Sequence, residues 1–261
     1  MKYFFDTEFF ERIKNPLFGK KHHLMELISI GIVDEDGRTY YAVSSDFDLK
    51  AAWKNKWLRE NVLHSIYKEL RDIQNENINE RIWYGHLWED FSYRSLKVLI
   101  SWHGQKNDEI AAEIFDFVNP DLGFHCSGYS NSDFRGPNSP LSLHFAKHNV
   151  TDIKEYFYAQ PEFYAYYADY DWVLLCSLFG SMMKLPPGFP MYCKDMKQYL
   201  DQAAESSVYH LDGAITKEEK LTTFKKLENY PVNKDNHNAL ADAKWNYDLY
   251  NFLKTKFFIH M

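Results

Sequence analysis

Two strand-like runs joined by a turn constrain the start of this chain more than any other feature. Leu24 to Val33 (LMELISIGIV) is rich in β-branched residues, and RTYYAVS follows directly after Asp34-Glu35-Asp36-Gly37. Acidic residues and a glycine between two such runs supply the local hydrogen bonds and backbone freedom of a hairpin turn. The opening KYFFDTEFF reads as a further short strand starting almost at residue 1. Three early strands in antiparallel order are therefore expected.

After them the period changes. From Leu49 to Leu70 the pattern is helical, with Trp53, Trp57 and Leu58 spaced for one face. Asn107 or Asp108 can cap a helix on which Ile110, Ile114, Phe117 and Val118 fall together, and Pro120 ends it. From Asp121 to about Asn149 glycine, serine, asparagine and proline crowd in, while Phe124, Tyr129 and Phe134 suggest packing against the body. The segment at about 121–158 reads as an insertion within a single domain spanning 1–261. FYAYYA (Phe163 to Ala168) is strand-like, and an apolar helix follows Asp171 and ends at Gly180. A polar helix is expected from Thr216 to Glu228. The last begins near Asn236, with Leu240, Ala243, Tyr247, Tyr250 and Phe257 on its buried face.

Composition narrows the function classes. Aromatics make up 18% of the chain, so a packed core is expected rather than disorder. The net charge is −7, which disfavours gripping long nucleic acid by its backbone. It leaves room for an enzyme that meets a strand end or neutralises phosphates with metal ions. Cys126, Cys176 and Cys193 are sparse and unpaired in the sequence, as in a reducing compartment. No stretch approaches the roughly 18 apolar residues of a membrane span. A cytoplasmic location and no membrane partner are expected.

The informative residues are acids. Asp6 and Glu8 alternate on the first strand, so both carboxylates leave from one face. Such a pair on an apolar strand is costly unless water or a cation meets it. Taken alone, the plainer reading is an edge strand facing solvent. Asp171 sits between an aromatic strand and an apolar helix, where an N-cap role suffices by itself, and Asp169 competes for any other. His237 and Asp242 are five apart, which on a helix is a rotation of roughly 140°. They can meet only if His237 lies in the turn ahead of the helix.

In this order, the phrases FFDTEF, AYYADYDWVLLCSLFG and HNALADA, with LISIGIVDEDGRTYYAVS between the first two, resemble the DEDDh 3′–5′ exonucleases of the ribonuclease H-like superfamily. The chain is most like the compact bacterial or phage-type exoribonuclease branch. The resemblance implies a ribonuclease H-like α/β fold, a mixed central β-sheet flanked by α-helices. It implies that Asp6, Glu8, Asp171 and Asp242 hold two Mg²⁺ ions, for which Mn²⁺ could substitute, and that His237 is the general base. The implied substrate is the 3′ end of single-stranded RNA or a short oligoribonucleotide, cut to nucleoside 5′-monophosphates; the oligomeric state stays open, a homodimer included. Many relatives carry a Thr-Gly-Leu-like stretch after the first two acids. Here Phe9, Phe10 and Glu11 stand there, and Phe9 or Phe10 could stack on a base, although core packing explains either one alone.

Other groupings rank lower. His125, Cys126, His144 and His148 lack the tight cysteine pair of structural zinc. Lys20-Lys21-His22-His23 reads as a solvated basic loop, and most of the seven tryptophans as core. Two rivals to the RNA reading remain: a 3′–5′ exonuclease acting on single-stranded DNA, and a non-catalytic adaptor binding a nucleic-acid end or a protein on the same fold.

Overall fold

A computed structural model describes residues 1–14, 20–76, 90–120, 160–207 and 216–257. The first strands are β1 (Lys2–Lys14), β2 (His22–Asp34) and β3 (Thr39–Val43). They pair antiparallel, as the strand-like runs and the turn predict. The turn is built by buried Asp34, whose Oδ1 accepts the backbone N–H of Asp36 and Arg38 at 3.0 and 2.8 Å. β4 (Glu162–Ala165) then pairs parallel to β1, and β5 (Lys194–Asp195) parallel to β4. The result is a five-stranded mixed sheet of order β3-β2-β1-β4-β5, with β1 at its centre.

Between β3 and β4 run α1 (Leu49–Lys54), α2 (Lys56–Leu58), a π-helical turn (Arg59–Leu63), α3 (His64–Glu76), α4 (Tyr93–His103) and α5 (Asn107–Val118). After β4 come α6 (Asp169–Leu178), a 3-10 turn (Met182–Lys184), β5, α7 (Met196–Ser207), α8 (Lys217–Phe224) and α9 (Ala239–Phe257). Alternation along β1 decides which helices it meets. Tyr3 and Phe5 point to one face, where they pack with Ile114 and Phe115 of α5 and Leu175 of α6. Phe4 points to the other, against Leu249 and Leu253 of α9. Phe10, Ile28 and Val43 pack with α3 and α4. Helices thus cover both faces, and the fold is mixed α/β, consistent with a ribonuclease H-like fold.

Several boundaries differ from the sequence reading, and side chains explain why. The helical run from Leu49 is broken at Asn55, which ends α1 and caps α2 through its Oδ1 and the Leu58 N–H. That break turns Trp57 off the face of Trp53, and Trp57 is 53% exposed. The helix after β4 begins at Asp169, so Asp171 lies inside its first turn and is not its N-cap. The last helix starts at Ala239, not near Asn236, because Asn238 caps it with Oδ1 on the Ala241 N–H at 2.9 Å. α5 starts at Asn107, with Lys106 as the cap residue. His22 and His23 belong to β2. The insertion expected at about 121–158, with His125, Cys126, His144 and His148, lies outside the described residues. Among the described residues no helix is long and apolar enough to cross a membrane.

Candidate functional site

Three carboxylates meet where β1 faces the start of α9. One oxygen from each of Asp6, Glu8 and Asp242 lies within 4.8 Å of the others. Strand alternation places Asp6 and Glu8 on the α9 side, two and four residues beyond Phe4. The register shifts between Glu8 and Phe9, leaving Ile28 of β2 without a partner on β1. Such a bulge bends a strand beside the residues it re-aims.

A glycine brings the helix close enough. Gly31 pairs with Asp6 across the β1–β2 ladder. A Cβ added at Gly31 would stand 2.4 Å from Cα and N of Leu240. No larger residue lets the first turn of α9 rest on β2, and that turn carries Asp242. Asn238 fastens the same turn to α3: its amide donates to Ser65 Oγ at 3.3 Å and Glu69 Oε1 at 3.0 Å.

His237 lies ahead of the helix, in a left-handed conformation with φ of 65°. Its backbone N–H donates to Asp242 Oδ2 at 3.0 Å, so the chain curls back over the acid five residues later. The imidazole Nδ1 is 4.0 Å from Glu8 Oε1, and Trp57 meets the ring edge-on with centroids 4.8 Å apart. The Asn233 amide donates to Asp242 Oδ1 in a short hydrogen bond.

Asp171 stands outside the trio but is tied to the same strand. The Thr7 N–H donates to its Oδ1 at 2.9 Å, and the Thr7 hydroxyl donates to the same oxygen at 2.5 Å. Asp171 is 6% exposed. Asp169 is exposed, on the first residue of the helix.

Electrostatics binds the four acids into one unit. Burial is the main cause of every shift, and mutual repulsion adds to it. Glu8 is pushed up to about 8 by burial and then by the charges of Asp242 and Asp171. Asp6 lies well above the usual carboxylate range, from burial and the charges of Asp171, Asp242 and Glu8. Asp171 is raised to about 6 by burial, against the pull of the Thr7 hydrogen bonds. Asp242 is also raised to about 6 by burial, against the hydrogen bonds from His237 and Asn233. Crowded, half-dry carboxylates with few donors fit a hard divalent cation, whose charge removes the repulsion and whose oxygen preference they meet.

The two phenylalanines after Glu8 diverge. Phe9 is partly buried and stacks on Tyr170, centroids 5.5 Å apart and planes 14° from parallel. Phe10 is 7% exposed and packs in the core with Ile28 and Val43, so it presents no face for a base. The sequence reading of the site did not single out Thr7, Gly31, Trp57, Asn233 or Asn238. Of these, Thr7 and Asn238 carried a local signal, one between two candidate ligands and the other a capping type just before an apolar helix.

Fold and site together define an α/β protein with a carboxylate-lined candidate centre for divalent metal, flanked by a histidine. Two curated relatives, from two strains of Mycobacterium tuberculosis and each named 3′-5′ exoribonuclease, are similar to the chain. Each is 27% identical over 198 residues, covering 76% of this chain and 73% of its own. No family model matches the chain.

Proposed function

We propose that this protein is a metal-dependent 3′–5′ exoribonuclease of the DEDDh type, a single domain that removes nucleoside 5′-monophosphates from the 3′ end of single-stranded RNA. The observation that carries the reading is the cluster of Asp6, Glu8 and Asp242 within 4.8 Å, with Asp171 beside it and His237 at its edge. The names of the two mycobacterial relatives support the same reaction class.

In this reading Asp6, Glu8, Asp171 and Asp242 hold two divalent cations, magnesium by preference. When bound, these would acidify the attacking water and stabilise the leaving 3′-oxygen. Thr7 occupies Oδ1 of Asp171 with two hydrogen bonds, which orients the other oxygen for ligation. His237 takes the proton of the water that attacks the terminal phosphodiester. A new P–O bond forms, the bond from phosphorus to the 3′-oxygen breaks, and that oxygen gains a proton to become a new 3′-hydroxyl. Asn238 keeps the histidine at its place by anchoring the turn to α3, and Phe9 on Tyr170 offers an aromatic surface beside Glu8.

Incubating 5′-labelled RNA with the protein, with and without magnesium, tests the proposal. A ladder shortened one nucleotide at a time, dependent on metal and weaker on matched DNA, is expected. Hydrolysis undiminished by EDTA would refute the metal-dependent assignment, and equal or faster loss of DNA would move the substrate to the alternative class.

A further inference from the structure

A polar groove of about 730 Å³ opens beside His237 and runs between α3 and the segment leading into α9. Its size suits a ligand of one to a few ring-sized units. Lys68, Lys234 and Lys244 line it and are exposed, and among the described residues none takes part in an ion pair. Two carboxylates of the groove are ion-paired and a third is only hydrogen-bonded. Asp72 lies 3.3 Å from Arg71, Glu60 lies 3.9 Å from Arg59, and Glu69 accepts the Asn238 amide. Glu69 and Asp235 are therefore the groove's acids without a cationic partner among the described residues, two against the three lysines. Free cations concentrated beside a carboxylate centre, in a chain of net charge −7, need a reason.

A second groove near the site differs. It measures about 530 Å³ and lies against α6, lined by Asp169, Asp195 and Lys194. Lys194 is held by Glu162 at 3.0 Å, and nearby Lys197 by Asp201 at 2.5 Å. A polyanion leaving the acid cluster that way meets carboxylates and cations already matched.

We propose that the groove of Lys68, Lys234 and Lys244 holds the phosphates of the RNA strand upstream of its 3′-terminal nucleotide, with exposed Trp57 at the mouth against the bases. This deepens the exoribonuclease reading and rests on it for the chemistry, though strand binding can be measured apart. Such a track makes the enzyme grip longer strands by charge, while a dinucleotide is held by the acid centre alone.

The test uses a 5′-fluorescein heptaribonucleotide and anisotropy in an Asp6→Asn background, so that the strand is not consumed. With three phosphate contacts to a single strand, the slope of log affinity against log salt from this groove is about −2. Each of Lys68→Gln, Lys234→Gln and Lys244→Gln should reduce that slope by about 0.7, and the triple variant should bind at least tenfold more weakly at 0.1 M KCl. In the otherwise wild-type enzyme, the triple variant should raise KM for the heptamer at least tenfold more than KM for a dinucleotide. The lysines are exposed, and glutamine keeps most of the side chain, so folding is spared; unchanged melting checks this. Unaltered affinity and salt slope in the triple variant would overturn the proposal, as would an equal rise in KM for both lengths. If the wild-type protein shortens no RNA at all, the exonuclease reading fails while the anisotropy series still decides the groove.

Discussion

Glu8→Gln should stabilise the metal-free protein at high pH. In the folded chain Glu8 titrates near 8, against 4.5 when free. Its folded pKa is raised, so folding takes up a proton here. The favourable contribution is complete below pH 4.5 and is lost as pH rises through about 8. At pH 9 the ionised side chain costs about 5 kcal/mol, at about 1.36 kcal/mol per pKa unit. The side chain is 12% exposed, so bulk water screens little of this, but water drawn into the cluster returns part. A gain of about 2–5 kcal/mol is therefore expected for the neutral isostere, or a Tm rise on the order of 5–15 °C for a domain of this size. Thermal unfolding followed by circular dichroism from pH 5 to 9 in EDTA reads it directly. The two proteins should converge near pH 5 and separate as pH rises. Adding magnesium should reverse their order by stabilising the wild type more, since only that chain keeps the full ligand set. Parallel curves across the pH range in EDTA would show that Glu8 feels neither the burial nor the neighbouring charges described above, and the reasoning would fail.

The remaining outcomes concern position. Asp171→Asn should abolish RNA hydrolysis while Asp169→Asn, on the exposed first residue of α6, keeps most of it; the reverse result in a gel assay would move the ligand by two residues. His237→Ala should slow single-turnover hydrolysis by about 10²–10⁴-fold with metal affinity largely kept, and higher pH should restore part of the loss by supplying hydroxide; turnover near wild type at saturating substrate and metal would remove the histidine from the mechanism. Gly31→Ala should lower stability by about 1–3 kcal/mol and activity with it, because the added Cβ meets the Leu240 backbone; a variant that melts and cleaves like wild type would show that α9 does not need this close approach.

What could be read from the sequence followed the range of the interaction responsible. The β1–β2–β3 meander was legible because β-branched composition and a turn residue act within a few positions. Asp34 performs the turn that its type and place suggest. The need for His237 to precede the helix was also legible, since helical rotation forbids the alternative. The start of α9 slipped by three residues because Asn238 caps it through the Ala241 N–H. Trp57 was misplaced because a single cap at Asn55 divides a run that looks continuous. Nothing local announces that Thr7 holds an acid 164 residues away, or that Gly31 is a glycine for the sake of Leu240. Those pairings exist only in the folded sheet.

The Asn246 amide donates to the Phe5 carbonyl at 3.1 Å, joining residues 241 positions apart. The acids on either side, Asp6 and Glu8 from the first strand and Asp242 from the last described helix, come from opposite extremes of that separation. A ribosome making this chain produces Asp6 and Glu8 before Asp242, with most of the described elements translated between them. Until α9 docks on β1 and β2, the nascent protein carries three of the four proposed ligands and no base in place. Under the proposed function, an RNA-destroying activity thus stays off until the segment of His237 and Asp242 has been made and docked, with no inhibitor required. The long-range topology that slows folding is also what delays the assembly of the blade.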